Sequence, residues 1–366
     1  MTEQEGLLDE LDDILARQDI GRRADALRRI TDLFVAVSGR YSDEQIGLFD
    51  DVMSRLVAEI DTSARATFGR RLADHPDAPP NVMRTLALDD EIRVAEPVLL
   101  HSDRLDDTTL VESAKTKSQS HLLAISRRQN LAEAVTDVLV QRGNSEVALS
   151  TAQNVTAKFS DFGYATLVER SREDDGLALS VWSRAEIPRQ HVLALFERAS
   201  EAVRAKLEAA DPRRAGLIRS LVVDASDKIQ TEVRNTVAGY ADKRAAIEAL
   251  HAAGDLDPAR LAAFARDRLF DEAAIALSIM SSLPTGLIER AIVSERPEQI
   301  LILAKAIGLP WEAAREILLL KGQSAGRPPL DVDACAATFA RLQPATAKQA
   351  LNFYRLRERA AASAAP

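Results

Sequence analysis

The sequence predicts an all-α chain: a helical-repeat solenoid made of two stacks of short helix pairs, joined by a junction of longer helices. Three observations carry this. The composition is 46% hydrophobic but only 4% aromatic, with 15 Gly and 14 Pro in 366 residues. It is rich in Leu, Ala, Glu and Arg, side chains that lose little freedom in a helix. Apolar positions recur at near-constant spacing in two separate stretches, as stacked supersecondary units require. The segments between them carry turn and cap residues.

Residues 1–65 predict an acidic N-terminal helical cap. Thr2 with Glu5, and Ser42 with Gln45, have the capping-box spacing that satisfies free amides at a helix start. Leu7, Leu8, Leu11, Ile14 and Leu15 make one apolar stripe, and Ile46, Phe49, Met53 and Leu56 make another. The formal net charge is −9, and this segment carries most of it: residues 1–61 hold 15 acids and 7 bases. Residues 62–200 hold 20 acids and 17 bases, and residues 201–366 hold 21 and 23. Neither array is basic enough to read as a phosphate-binding surface.

Residues 66–200 form the first array. Ala78, Leu105, Leu131, Phe159 and Ile187 are spaced 27, 26, 28 and 28 apart. Eight residues after each stand Leu86, Ser113, Leu139, Leu167 and Leu195; nine after stand Ala87, Ala114, Val140, Val168 and Phe196. Within one unit Leu131, Val135, Val138 and Leu139 trace an amphipathic helix. Residues 201–244 break the rhythm and read as a helical junction, with Asp211-Pro212 ending one long helix. Residues 245–322 form the second array, in which Pro258, Pro284 and Pro310 are each 26 apart at expected helix starts. Around them the columns Ala249/Ile275/Leu301, Leu261/Leu287/Ala313, Ala262/Ile288/Ala314 and Ala265/Ala291/Ile317 are apolar. Residues 323–366 supply a linker, with Gly322 to Pro329 at its start, then closing helices over Val332–Leu342 and Ala345–Arg359 and a small frayed tail from Ala360.

Few groups invite chemistry. Cys335 is the single cysteine, so no internal disulfide or multi-cysteine metal site can form; it reads as a small buried hydrophobe. The histidines His75, His101, His121, His191 and His251 lack His-x-x-x-His spacing. Glu248 and His251 make one Glu-x-x-His, where a di-iron site needs two. His75 and His101 precede successive anchors in corresponding turns and read as turn residues. Gly322-Gln323-Ser324-Ala325-Gly326 matches a nucleophile elbow in letters, but a helix-like run precedes it, Arg327-Pro328-Pro329 follows, and no histidine comes after His251. The doublets Asp12-Asp13, Asp89-Asp90 and Asp174-Asp175 sit near helix starts, where carboxylates favour the positive end of the dipole. No catalytic, cofactor-binding or metal-ligating residue is assigned.

Asp89-Asp90-Glu91-Ile92-Arg93-Val94-Ala95-Glu96-Pro97 is similar to the first helix of a HEAT repeat. Leu72-Ala73-Asp74-His75-Pro76-Asp77-Ala78-Pro79-Pro80, Val94-Ala95-Glu96-Pro97-Val98-Leu99, Ala262-Ala263-Phe264-Ala265-Arg266, Ile302-Leu303-Ala304-Lys305-Ala306 and Gly308-Leu309-Pro310-Trp311-Glu312 resemble the alphaproteobacterial family labelled domain of unknown function 2336, over about residues 60–325. That resemblance implies a helical-repeat scaffold, and it supplies no catalytic residues to carry over.

The expectation is a non-enzymatic scaffold or adaptor that binds a protein partner. It is expected to be cytoplasmic, because the acidic N-terminus lacks an apolar leader segment and no apolar run reaches the roughly 20 residues of a membrane span. The alternative is a nucleic-acid-binding, glycosylase-like array. It would use Arg70-Arg71, Arg127-Arg128 or Arg213-Arg214 for phosphates, with Trp182 or Trp311 at the lesion. The near-neutral arrays argue against it, and both tryptophans read as core.

Overall fold

The computed structural model describes residues 20–36, 41–236, 239–294, 296–320, 322 and 329–363. Among these, all regular structure is helical. The Thr2–Glu5 capping box, the Leu7–Leu15 stripe, Asp12-Asp13 and Ser324 lie outside the described residues. The chain divides into two compact units, residues 1–163 and 164–366.

The first unit starts with α1 (Ile20–Ala36), α2 (Asp43–Val57), α3 (Thr62–Leu72), α4 (Pro80–Ala87) and α5 (Ile92–His101). It continues with α6 (Asp107–Thr116), α7 (Gln119–Ser126), α8 (Glu133–Arg142) and α9 (Ser145–Gln153). Each of α1–α7 packs on the helix two further along, and most also pack on a sequence neighbour. The result is two rows: α2, α4, α6 and α8 in one, and α3, α5, α7 and α9 in the other. Helices of 8–10 residues in α4–α9 are only about 12–15 Å long, so packing rather than intrinsic propensity holds them.

Local signals start these helices. Ser42 and Gln45 close a capping box on α2. Asp61, Asp106 and Asn144 accept the amides of Ala64, Thr109 and Val147 at the starts of α3, α6 and α9. The repeat columns are the core. Leu86, Ser113, Leu139 and Leu167 are fully buried and Leu195 nearly so. Ala87, Ala114, Val140 and Val168 are buried beside them, while Ile187 and Phe196 are half-buried.

Helix α10 (Asp161–Arg170) carries the chain into the second unit. There follow α11 (Asp175–Trp182), α12 (Arg189–Ala210), α13 (Ala215–Thr236), α14 (Tyr240–Ala253), α15 (Pro258–Arg266), α16 (Phe270–Ser281) and α17 (Thr285–Val293). The last four are α18 (Glu298–Ala306), α19 (Trp311–Leu319), α20 (Val332–Arg341) and α21 (Pro344–Ser363). Helices α12 and α13 are 22 residues each, pack on one another, and are separated at Asp211 by a short 3-10 turn. Helices α15–α18 resume the short-pair pattern. Pro258 opens α15, while Pro284 and Pro310 stand immediately before α17 and α19.

Ten of the twelve second-series column positions are buried. Leu287 is half-buried and Ala249 is exposed. Ala249 falls out of phase because α14 turns Tyr240 and Ile247 inward instead, and it ends at Gly254 in the left-handed region that glycine tolerates. The closing helix also runs further than its small residues suggest, since α21 includes Ala360–Ser363. Ala is the best helix former, so the alanine run extends the helix rather than fraying it.

Candidate interaction surface

Most polar side chains that the sequence offers for chemistry are committed to holding helices together. A helix leaves its last carbonyls unbonded. In the first unit, a side chain one repeat later supplies the missing donors. Arg128 donates to the carbonyls of Leu99 and Ser102 at the end of α5. Arg142 donates to Ala114 of α6. Asn154 donates to Ser126 at 2.9 Å and Arg128 at 2.6 Å, closing α7. The second unit also closes helix ends with side-chain donors, but without the fixed offset: Arg198 reaches back to Val168 and Arg355 to Ser281, while Arg268 reaches forward to Leu319 and Lys305 to Phe339.

The histidines are dispersed. His121 is buried between Ser118 Oγ and the Asp89 carbonyl. His75 accepts the Asp77 amide and lies tilted 5.0 Å from the Phe34 ring. His191 is buried against Tyr164, His101 lies 3.6 Å from Asp74 on the surface, and His251 is exposed. Glu248 pairs with Arg244. Among the described residues no group of His, Cys, Asp or Glu is arranged to hold a metal. Cys335 is buried, and that burial pushes its thiol above the ordinary range.

The arginine doublets do not make one stripe. Arg128 is buried as a helix clamp, Arg71 pairs with Asp32, and Arg214 pairs with Asp211. Arg70 stands in a groove of about 550 Å³ between α3 and α5, facing Arg93 but also Asp74 and Glu96. The tryptophans differ from the core reading. Trp182 is 45% exposed at the end of α11, and Trp311 is half-buried, tilted 5.7 Å from Phe339. The acidic doublets serve locally: Asp174 caps α11, Asp89 binds Arg65 at 2.7 Å, and Asp90 binds Lys117 at 2.6 Å. Lys117 holds the Asp90 carboxyl below its usual range.

The second unit presents a groove beside exposed apolar side chains. A groove of about 550 Å³ lies among α12, α17, α18 and α21, with Leu287, Ile302, Leu351 and Tyr354 in its lining. Arg204 and Arg296 stand at its edge with Glu197 and Glu201. Beside it, Val203 and Leu207 on α12 are 51% and 46% exposed, and Leu217 and Leu221 on α13 are 56% and 58% exposed. Leu217, Leu221, Ala225 and Ile229 recur every four residues and are all exposed, a stripe along one side of α13. The sequence shows this spacing but not its exposure. An apolar i, i+4 stripe looks the same whether its own chain covers it or not.

Beneath the hairpin sits a cluster that spacing gave no hint of. Arg189 bonds Asp271 at 2.6 Å and Glu289 at 2.7 Å, with Glu289 fully buried. Arg234 lies 3.3 Å from Glu289, and Lys243 bridges Asp271 and Glu272. The network ties α12, α13 and α14 to α16 and α17. Burial pushes the Glu289 carboxyl above the ordinary range, against the pull of Arg189 and Arg234. The available signal was Glu289 itself, an acid beside Arg290 in the otherwise apolar stretch Leu287 to Val293.

No helix among the described residues is long and apolar enough to cross a membrane. No curated protein and no solved structure matches the chain. Residues 94–352 match the family labelled domain of unknown function 2336 and described as an uncharacterised protein conserved in bacteria, and the chain belongs to that family.

Proposed function

We propose that this protein is a non-enzymatic scaffold that binds a protein partner through its second unit. The observation that carries the reading is the exposed apolar surface of the α12–α13 hairpin, Val203, Leu207, Leu217, Leu221 and Ile229, beside an unfilled groove floored by Leu287 and Ile302. Clustered exposed apolar side chains mark contact sites more often than chance on a soluble surface. A helical groove with an apolar floor and charged edges suits an amphipathic partner helix. The stacked helix pairs supply a rigid support for such a surface. The polar groups that catalysis would recruit serve instead as helix clamps and caps, which agrees with a binding role.

The test is affinity capture with the full-length chain and a Leu217→Glu/Leu221→Glu variant. A partner that is recovered reproducibly with the native chain and lost with the variant supports the reading. Equal recovery by both forms, or no reproducible partner, sinks it. Both substitutions are on exposed positions, so the variant's thermal midpoint should match the native one and separates lost binding from lost folding.

A further inference from the structure

We infer that the polar cluster beneath the α12–α13 hairpin is an internal hydration site, in which bound water bridges Arg189, Gln230, Arg234, Tyr240 and Glu289. Among the described residues, ten buried side-chain atoms lack a hydrogen-bond partner, and five of them lie here: Arg189 Nε, Gln230 Oε1, Arg234 Nε, Tyr240 Oη and Glu289 Oε2. The five residues come from α12, α13, α14 and α17, and their contacts join them into one place. Arg189 bonds Glu289 and lies 5.3 Å from the centre of the Tyr240 ring. Arg234 Nε is 3.3 Å from Glu289 Oε2, outside good hydrogen-bond alignment. Gln230 gives its amide to Glu197 at 2.8 Å and leaves its carbonyl oxygen over.

Buried polar atoms in folded proteins are almost always bonded, and ordered water serves those the chain does not reach. The chemistry of this set selects water. Two guanidinium N–H groups donate, the glutamine and glutamate oxygens accept, and the phenol does either. An anion would suit the two arginines but would face Glu289 and Asp271. A metal cation would suit the carboxylates but would face Arg189, Arg234 and Lys243. A neutral molecule that both donates and accepts meets neither conflict. Gly286 lies against the same cluster: a carbon added to it would stand 2.9 Å from Arg234 Nη2 and 3.9 Å from Gln230 Oε1. This hydration is independent of what the outer surface binds.

A Tyr240→Phe variant of the full-length chain tests it. It deletes one unpaired oxygen and nearly preserves shape. If water bonds that atom, the thermal midpoint falls, by about 1–4 °C. If the atom bonds nothing, deleting it relieves its desolvation, and a midpoint unchanged or raised overturns the inference. A high-resolution crystal structure gives the direct check. Ordered water about 2.7–3.2 Å from Tyr240 Oη and Glu289 Oε2 supports it, and clear density with no water there overturns it.

Discussion

Arg128 reaches back across one repeat to donate a 2.8 Å hydrogen bond to the Ser102 carbonyl, with a second to Leu99. Its side chain is buried, and burial lowers its guanidinium pKa from the ordinary value. Its neighbour Arg127 is exposed. Two adjacent residues of one type therefore have opposite duties. Bonds from a charged donor contribute about 1.5–3 kcal/mol each way of counting. Arg128→Ala should then cost about 2–4 kcal/mol in urea unfolding, and Arg127→Ala should stay within about 0.5 kcal/mol. Equal costs for the two would remove the clamp reading.

The same contrast decides how nucleic-acid binding must be tested. A variant that replaces Arg128 would mix lost stability with lost phosphate contact, because Arg128 is a buried helix clamp. Arg70 and Arg127 are exposed and suitable; Arg71 is already paired with Asp32. On the scaffold reading, a low-salt gel shift should show no retention that Arg70→Ala/Arg127→Ala abolishes. Retention lost in that variant and fading steeply with salt would favour phosphate contacts instead.

Leu139 and Leu167 occupy the same column in two successive units, and both are fully buried. Truncating either to Ala leaves a cavity, at a cost of about 2–5 kcal/mol. Val155, at 88% exposure, is the matched control and should change stability by less than about 0.5 kcal/mol on replacement by Ala. Denaturant midpoints compared across the three variants give the answer.

Spacing made the core columns legible because burial in a stacked pair repeats with the pair. It also marked the Ser42–Gln45 capping box and Asp174 at a helix start, since caps act within three residues of themselves. Long-range polar roles left no such trace. Arg128 and Arg127 read alike, and only the register places one against the end of α5. Arg189 and Glu289 are 100 residues apart, and nothing local pairs them. Ala249 and Trp182 fail in another way, because a column of small or apolar letters does not reveal which way a helix is turned about its axis.

Asp106 yields a pH signature. Hydrogen bonds from the Thr108 hydroxyl and from Thr109 hold its carboxyl down to about 2. An unfolded Asp titrates near about 3.9. The folded value is depressed, so the cap's contribution is fully present above the unfolded value and is lost as pH falls through the folded one. Asn also caps helices but does not titrate. The stability difference between the native chain and Asp106→Asn should therefore be constant above about pH 5 and shift against the native chain between about pH 4 and 2. A flat difference across that window would show that the carboxylate is not preferentially stabilised in the fold.

Glu289 should control how firmly the α12–α13 hairpin is seated. It is fully buried, while Arg189 and Arg234, its partners from the two hairpin helices, are 8% and 12% exposed. Glu289→Ala leaves two nearly buried guanidinium groups short of a counter-charge, which costs about 3–5 kcal/mol when a buried pair is broken. Glu289→Gln keeps the shape and one acceptor for Arg189 and should cost less. The loss should also be local. Hydrogen exchange in Glu289→Ala should speed up along α12 and α13, whose outer halves have few buried contacts, before it rises in α15–α19, where Leu261, Ile288 and Ile317 form the core. Uniform acceleration over the whole second unit would mean that the hairpin and the short-helix array open as one body.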